Sequence, residues 1–500
     1  MIYSQDKRKT DYLLYLVYSL IVLLFCYGFS PLIRFYSSDS SVFYCMGKAM
    51  MNGETAYTDF FDHKGMWLYF FNYLGNLIDQ VIPSWGMYLL ESLFGFVDLI
   101  ILDRIIGIFV SNKKARIVTT VLLFGFSLNY FTYMGGNYAE TYALTFQLIS
   151  VLFALRYYTS DRLEHPPIYM LIHGICSGVC LLLRPNLVAI WVPFGLFLIV
   201  RLTGQHRFRN IAQNFLTLIC GVILSALPVL LYGVVHRNLS AMLFCMLTFN
   251  TAYLGEGGTL KELLKGLFFS GASIVFYACI IGQIIVWKSS LSRQLKSLIT
   301  VDFAFVMLMT FMGMRAFGHY FQVLFPFAIP FFVFVGKKMG DIKNKSVFGL
   351  VLAATLCLTL CANMRSVLHF FPIDTEYKSM YSMLKQCDEM IGEDAERDTL
   401  LTTSNLMQPY VVLDVCPTVK YPYIPAADYE HFPDATDSMY EEIMSGSHKY
   451  IFGHRYEDGY WNVFSDRLTE MRENVNRYIA DNYQVLCTDD TYHYVMFVRK

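Results

Sequence analysis

Long apolar runs separated by short polar breaks fill the chain up to about residue 365, and runs of that length stop there. About 20 consecutive, predominantly apolar residues suffice for a helix to cross a bilayer core. The pattern predicts eleven such spans, from Tyr12–Ile33, Trp85–Val110, Ile117–Phe131 and Thr141–Tyr158 through to Val347–Asn363. Between the first two lies Met66–Ile82, a semi-polar stretch predicted as a helix at the membrane surface, with Trp67, Tyr69 and Tyr73 suited to the headgroup zone. After the seventh span, residues 236–265 mix apolar and polar positions around GEGG at 255–258 and read as a mobile loop over the outer face.

Charge at the breaks orients these spans. Lys and Arg cluster at residues 7–9, 111–116, 156–162, 201–210, 288–296 and 337–345, which are alternate breaks. Such clusters mark the cytoplasmic side. The N-terminus is therefore expected inside, and the chain after the eleventh span outside. The first apolar run lacks a small-residue cleavage site and reads as a retained anchor rather than a signal peptide.

Composition agrees: 55% of the 500 residues are hydrophobic and only 16% charged. The expected class is an α-helical polytopic membrane protein of the cell membrane. A net charge of −1 gives no field that would suit nucleic acid. Twelve cysteines include no CxxC pair. Cys176 and Cys180, like Cys357 and Cys361, are spaced for helix packing. Cys387, Cys416 and Cys487 are odd in number and give no disulfide framework. Beyond residue 365, helical periodicity over 376–392 and 465–482 alternates with strand-like TLLTT, YVVLDV, KYIFG, YQVLCT and YHYVMFVRK. Residues 1–365 are thus expected to form the membrane domain, and residues 366–500 an extracytoplasmic α/β domain.

The unusual polar residues fall in the predicted outer breaks. The first of these, residues 34–71, holds Asp39, Glu54, Asp59, Asp62, His63 and Lys64 among aromatics. Later breaks add Asn137 and Glu140, Arg184 and Asn186, and Arg315, His319 and Tyr320. Ionisable groups held at a membrane are functional candidates. The acids offer a base or metal ligands, and the cations offer charge for a phosphate, Arg in bidentate fashion. That combination suits transfer from a phosphate leaving group. Plainer readings stand beside these. Asp39 would be a helix cap, and Asp59 would bond its own turn. Glu140 would answer the helix dipole, Arg184 would snorkel, and His319 would cap a helix or touch headgroups. Gly174 and Gly178 read as close helix packing, and Asn238-Leu-Ser is too common a triplet to carry a glycosylation site.

The layout resembles the GT-C superfamily of membrane glycosyltransferases, and more closely the protein O-mannosyltransferase and lipid A aminoarabinose transferase group (glycosyltransferase family 39-like). Ser38-Asp39-Ser40 occupies the place of that group's acidic motif in the first outer loop. Gly53-Glu54-Thr55-Ala56-Tyr57 and Asp62-His63-Lys64-Gly65-Met66-Trp67 occupy that of its second element. Arg184-Pro185-Asn186 and the run from Arg315 to Tyr320 look like its later Arg and His–Tyr positions. This chain has Asp39-Ser40 where many relatives have Asp-Glu, and His63-Lys64-Gly65-Met66 where they have Glu-Lys-Pro-Pro.

The resemblance implies a polyprenyl-phosphate sugar donor and an acceptor that is a glycan, glycolipid or protein. It further implies one inverting displacement, with Asp39 as base and Lys64, Arg184 and Arg315 on the lipid phosphate. Asp59, Asp62, His63, Glu140, His319 and Tyr320 would be substrate-binding. A divalent metal ion stays open, with Asp39, Asp62 and His63 as candidate ligands. Two alternatives are a transporter or flippase for a lipid-linked saccharide and a polysaccharide polymerase. No internal repeat favours the first, and the acids sit in the first loop rather than a late one, which disfavours the second.

Overall fold

The computed structural model describes residues 11–34, 36–251, 257–341, 349, 353, 376–403, 406–425, 429–430, 432–454, 468–489 and 491–500. Apart from residues 349 and 353, the eleventh predicted span lies outside them, as do the basic cluster at 7–9 and the proposed boundary at 365/366. The chain divides into two compact units.

The first unit comprises Met1–Arg34, Ser84–Val229 and Gly258–Val367. Its described part is helical. Pro185–Gly204, Phe208–Val235, Arg293–Phe311 and Gly318–Gly340 are each long and apolar enough to cross a membrane. Leu260–Phe269 and Ser273–Lys288, bent by 77° at their junction, make a fifth if counted as one. Other predicted spans are shorter or more polar. Gly86–Phe109 has 24 residues but carries Glu91, Asp98 and Asp103 on its buried side. Buried acids need partners. Asp103 accepts from Tyr15 Oη (2.7 Å) and Arg116 Nε (2.8 Å), and Glu91 from Tyr133 Oη (2.9 Å). The glycine spacing works as expected: a Cβ at Gly174 would strike Leu218, and one at Gly178 would strike Ser225, so Pro167–Leu181 packs backbone-close against Phe208–Val235.

Breaks predicted on the same side meet one another within this unit. On the basic side, Lys113 pairs with Asp11 (3.0 Å), Asn112 reaches Gly340 O (3.5 Å), and Arg207 pairs with Glu164 (3.1 Å). At the opposite ends the first helix stops at Cys26 rather than the expected Ile33, and Gly28 N donates to Gly135 O (2.8 Å), as Thr141 Oγ1 does to Gln322 Oε1 (3.0 Å).

The second unit comprises Phe35–Pro83, Leu230–Gly257 and Leu368–Lys500. Its four-stranded sheet runs in the order β1 (Leu400–Thr402), β2 (Tyr450–His454), β4 (Tyr494–Arg499), β3 (Tyr483–Asp489). β1 and β2 are parallel, the other pairs antiparallel, and β3 bulges between Val485 and Cys487. Leu401, Ile451, Val495 and Phe497 form one core with Met439, Ile443, Val475 and Ile479 from the helices Asp434–Ser445 and Thr469–Asn482. All ten described cysteines are free.

Two local expectations are corrected. YVVLDV is not a strand: Gln408–Val412 is helical, because Pro409 sits at its first turn, where a missing N–H costs nothing. Asp414 at φ 56° then turns the chain. Nor is 236–265 a loop in its described part. It contains the helices Leu239–Leu243 and Leu260–Phe269 and a π-helical turn over Phe244–Phe249. Asn238 Nδ2 anchors the first of these on Ala56 O at 2.9 Å.

Candidate active site

Asp62, His63 and Lys64 form a hydrogen-bonded knot in the second unit. Asp62 is 2% exposed. Its Oδ2 accepts from Tyr69 Oη (2.8 Å) and its Oδ1 from Tyr423 Oη (2.9 Å). Tyr69, expected at the headgroups, is instead fully buried, because a buried carboxylate requires donors of this kind. It also accepts from Lys64 N at 3.1 Å. Burial first, then the nearby carboxylates of Asp62 and Asp39, hold the Tyr423 phenol well above its usual range, so it stays a donor.

The Lys64 ammonium lies 3.1 Å from His63 Nε2, and His63 Nδ1 lies 2.9 Å from Asn250 Oδ1. An ammonium only donates. Nε2 is therefore the acceptor, and the proton sits on Nδ1, pointing at Asn250. Asn250 Nδ2 returns a bond to His63 O (2.8 Å). Aromatic packing holds the loop on both sides: Phe61 lies against Phe249, Tyr421 and Phe432, and its N–H donates to Lys420 O at 2.8 Å.

Asp39 occupies the first turn of the helix Ser38–Met51 and is exposed. It is not the cap. Ser37 caps Ser40 N, and the Ser40 side chain reaches back to Ser37 N, a reciprocal box. The Asp39 carboxylate takes no part in it. Asp59 follows its plainer reading: Oδ2 accepts from Thr55 N at 2.8 Å within its own turn.

The first unit gathers a different set. Arg184 Nη1 reaches Glu140 Oε1 at 2.5 Å, and Nη2 reaches Tyr320 Oη at 2.9 Å. The guanidinium also lies 4.4 Å from the Tyr320 ring centroid. Arg184 therefore does not snorkel; it is held by a carboxylate and a phenol. Glu140, in the first turn of Ala139–Tyr158, answers the helix dipole and the arginine together. His319 stacks on Tyr138, with ring centroids 4.6 Å apart. Arg315 is half-buried in the turn after Arg293–Phe311. Met134, Gly135, Gly136 and Asn137 all have positive φ. A Cβ at Gly136 would meet Tyr133 and Tyr27, so the glycine is needed twice, for φ and for space. This tight bend delivers Tyr138 to His319 and Glu140 to Arg184.

Sequence reading missed Tyr423, Asn250 and the role of Tyr69. The first two lie 361 and 187 residues from their partners, and an uncharged amide or phenol gives no signal in one sequence. A metal at Asp39, Asp62 and His63 does not fit this arrangement. Both Asp62 oxygens and both His63 nitrogens already have partners. Among the described residues no three His, Cys, Asp or Glu come together as a ligand set.

Tyr423→Phe leaves one oxygen of a buried carboxylate without its donor. Hydrogen bonds to charged groups are worth about 1.5–3 kcal/mol, and a loss of that size is expected by chemical denaturation in detergent. An unchanged midpoint would show that Tyr423 does not support Asp62.

The fold is shared with ArnT from Cupriavidus metallidurans. The structure bound to undecaprenyl phosphate superposes with a TM-score of 0.60 at 12% identity, covering 97% of this chain and 97% of that one. The apo structure of the same protein gives 0.57 at 11% identity, again covering 97% of both chains. The fold is therefore of the GT-C type. Among curated proteins none matches this chain in sequence. Residues 4–348 match the family described as "Putative competence-induced protein Ccs4 N-terminal domain", and the chain belongs to that family.

Proposed function

We propose that this protein is an integral membrane glycosyltransferase that moves a sugar from a polyprenyl-phosphate donor to an acceptor on the outer face of the membrane. The observation that carries the reading is the end-to-end likeness to ArnT, solved with undecaprenyl phosphate bound. The exposed Asp39 and the Lys64 knot, both in the second unit, supply the proposed chemistry. The acceptor is a glycan, a lipid or a protein. The proposed topology keeps the eleven spans, a cytoplasmic N-terminus and an extracytoplasmic α/β domain over residues 366–500.

In the proposed step Asp39 takes the proton of an acceptor hydroxyl. The oxygen attacks the anomeric carbon as the bond from that carbon to the phosphate oxygen breaks. Polyprenyl phosphate leaves with the bonding pair, and the anomeric centre inverts. A positioned base contributes roughly 10²–10⁴-fold, and cations placed where charge develops add to it. Lys64 is the proposed cation of the second unit. Its ammonium donates to a neutral imidazole rather than to a carboxylate, so its charge stays available to an anion. Arg184 and Arg315 are proposed as further contacts for anionic groups, with Glu140, His319 and Tyr320 shaping their surroundings. Asp59 is proposed to hold the turn of the first loop.

Undecaprenyl phosphate added to the purified protein in detergent should raise its melting temperature in a saturable way, while undecaprenol should not. Equal effects of the two lipids would remove phosphate recognition from the reading.

A further inference from the structure

A cavity of about 550 Å³ lies wholly within the first unit. That volume is in the ordinary range of small-molecule sites, roughly 300–1,000 Å³. None of Glu140, Arg184, Arg315, His319 and Tyr320 lines it. Its rim carries Lys288, Ser289 and Lys337, at the helix ends that enter the basic breaks. From there it extends along Trp191 to Pro326, which precedes the helix Ile329–Gly340 that ends in that basic side. The wall is mainly apolar. Trp191 is fixed in it by a bond from its Nε1 to Ser150 Oγ (3.1 Å).

Below the rim, two ionisable residues interrupt the lining. His173 is 1% exposed and Asp302 8% exposed. Both face the cavity. Neither ring nitrogen of His173 nor Asp302 Oδ1 has a hydrogen-bond partner. Buried polar groups are as a rule hydrogen-bonded, and leaving them bare is costly. Asp302 lies nine residues into Arg293–Phe311 and His173 six into Pro167–Leu181. At 1.5 Å per residue both stand about 9–14 Å below the basic ends of their helices.

The cavity therefore has three levels: two ammonium groups at the mouth, a carboxyl and an imidazole below them, and an apolar bore beyond. A monoacyl glycerophosphate has the same three levels: a phosphate, then a hydroxyl and an ester carbonyl, then one chain. We propose that the cavity is a binding site for such an anionic glycerolipid, entering from the basic side. Lys288 and Lys337 take the phosphate. Asp302 and His173 take the glycerol hydroxyl and the ester carbonyl. The chain runs past Trp191 toward Pro326. This site is separate from the proposed transfer reaction and does not rest on it.

Trp191 is a built-in reporter. Full-length protein in a non-ionic detergent is titrated with lysophosphatidic acid brominated in mid-chain, and the Trp191→Phe signal is subtracted to isolate Trp191 quenching. The controls are brominated lysophosphatidylcholine, a brominated alkyl phosphate of equal length, and inorganic phosphate as competitor. Saturable quenching is expected, with lysophosphatidic acid at least about tenfold tighter than lysophosphatidylcholine, as for a charge-assisted contact. Lys288→Ala with Lys337→Ala should abolish that preference, and Asp302→Leu should abolish the preference over the alkyl phosphate. Should the lysine variant fail to fold, Ala154→Leu narrows the cavity and should remove the saturable component. Equal quenching by every amphiphile in every variant would mean simple partitioning and overturn the proposal. So would the absence of quenching. Displacement by inorganic phosphate alone would assign a free-anion site in place of a lipid site.

Discussion

Asp39→Asn is expected to fold and insert normally, to bind donor nearly as well, and to lose at least about a hundredfold in turnover. The first half rests on local structure. The cap of Ser38–Met51 is built by Ser37 and Ser40, so Asn at position 39 leaves it intact. What is lost is one acid near a helix N-terminus, worth roughly 0.3–1 kcal/mol when exposed. The second half rests on chemistry: Asn has Asp's shape and cannot take a proton. Two of the loop's other three acids, Asp59 and Asp62, are poorer bases as held. Asp59 is committed to Thr55 N, and Asp62 spends both oxygens on tyrosines. Turnover near normal in Asp39→Asn, measured with a saturating donor, would assign the base elsewhere. Loss of expression would restore Asp39 as a structural residue.

The largest effect on stability is expected at Arg184. Glu140 is 3% exposed at its side chain, and Arg184 is its charge partner. Removing one member of a buried pair costs about 3–5 kcal/mol, because the survivor is a buried charge alone. Arg184→Ala should lower stability by that amount, and the Tyr320 phenol loses its partner as well. Adding Glu140→Gln should recover a good part of the loss, since the orphaned charge disappears. That recovery separates a buried pair from a snorkelling arginine, for which the two substitutions would be independent. If Arg184→Ala is as stable as the parent in chemical denaturation, the pair is not structural and the arginine's place in the unit must be reconsidered.

Much of the helical part was legible, because apolar runs and charged breaks follow directly from the cost of polar groups in a bilayer. The predicted ends at Val110, Tyr158 and Trp287 fall within a residue or two of helix termini. Other features were not legible, for identifiable reasons. Residues 410–415 have β-branched composition, and Pro409 decided otherwise. The segment after residue 236 has too few apolar residues in one stretch for a span, yet its helical turns over 239–249 are anchored by Asn238 and Asn250, whose partners lie in the stretch over residues 34–71. At the site, charge singled out Asp62, His63, Lys64 and Arg184, and the structure gives each of them close polar partners. Charge could not show that Asp62 is closed off by Tyr69 and Tyr423, because those bonds depend on tertiary placement. Asp39 reads differently in the structure: sequence put it in a loop, with a helix cap as the plainer role, whereas it stands exposed in the first turn of Ser38–Met51 beside the serines that do the capping.

The most direct test of the central claim uses purified protein in liposomes with a panel of polyprenyl-phosphate sugars, each radiolabelled in the sugar and offered with envelope extracts as acceptor. With the right donor, free polyprenyl phosphate should appear in step with label on the acceptor, and the Asp39→Asn protein should produce neither at a comparable rate. Movement of intact labelled donor across the bilayer, with no polyprenyl phosphate released, would contradict the account and make the protein a transporter.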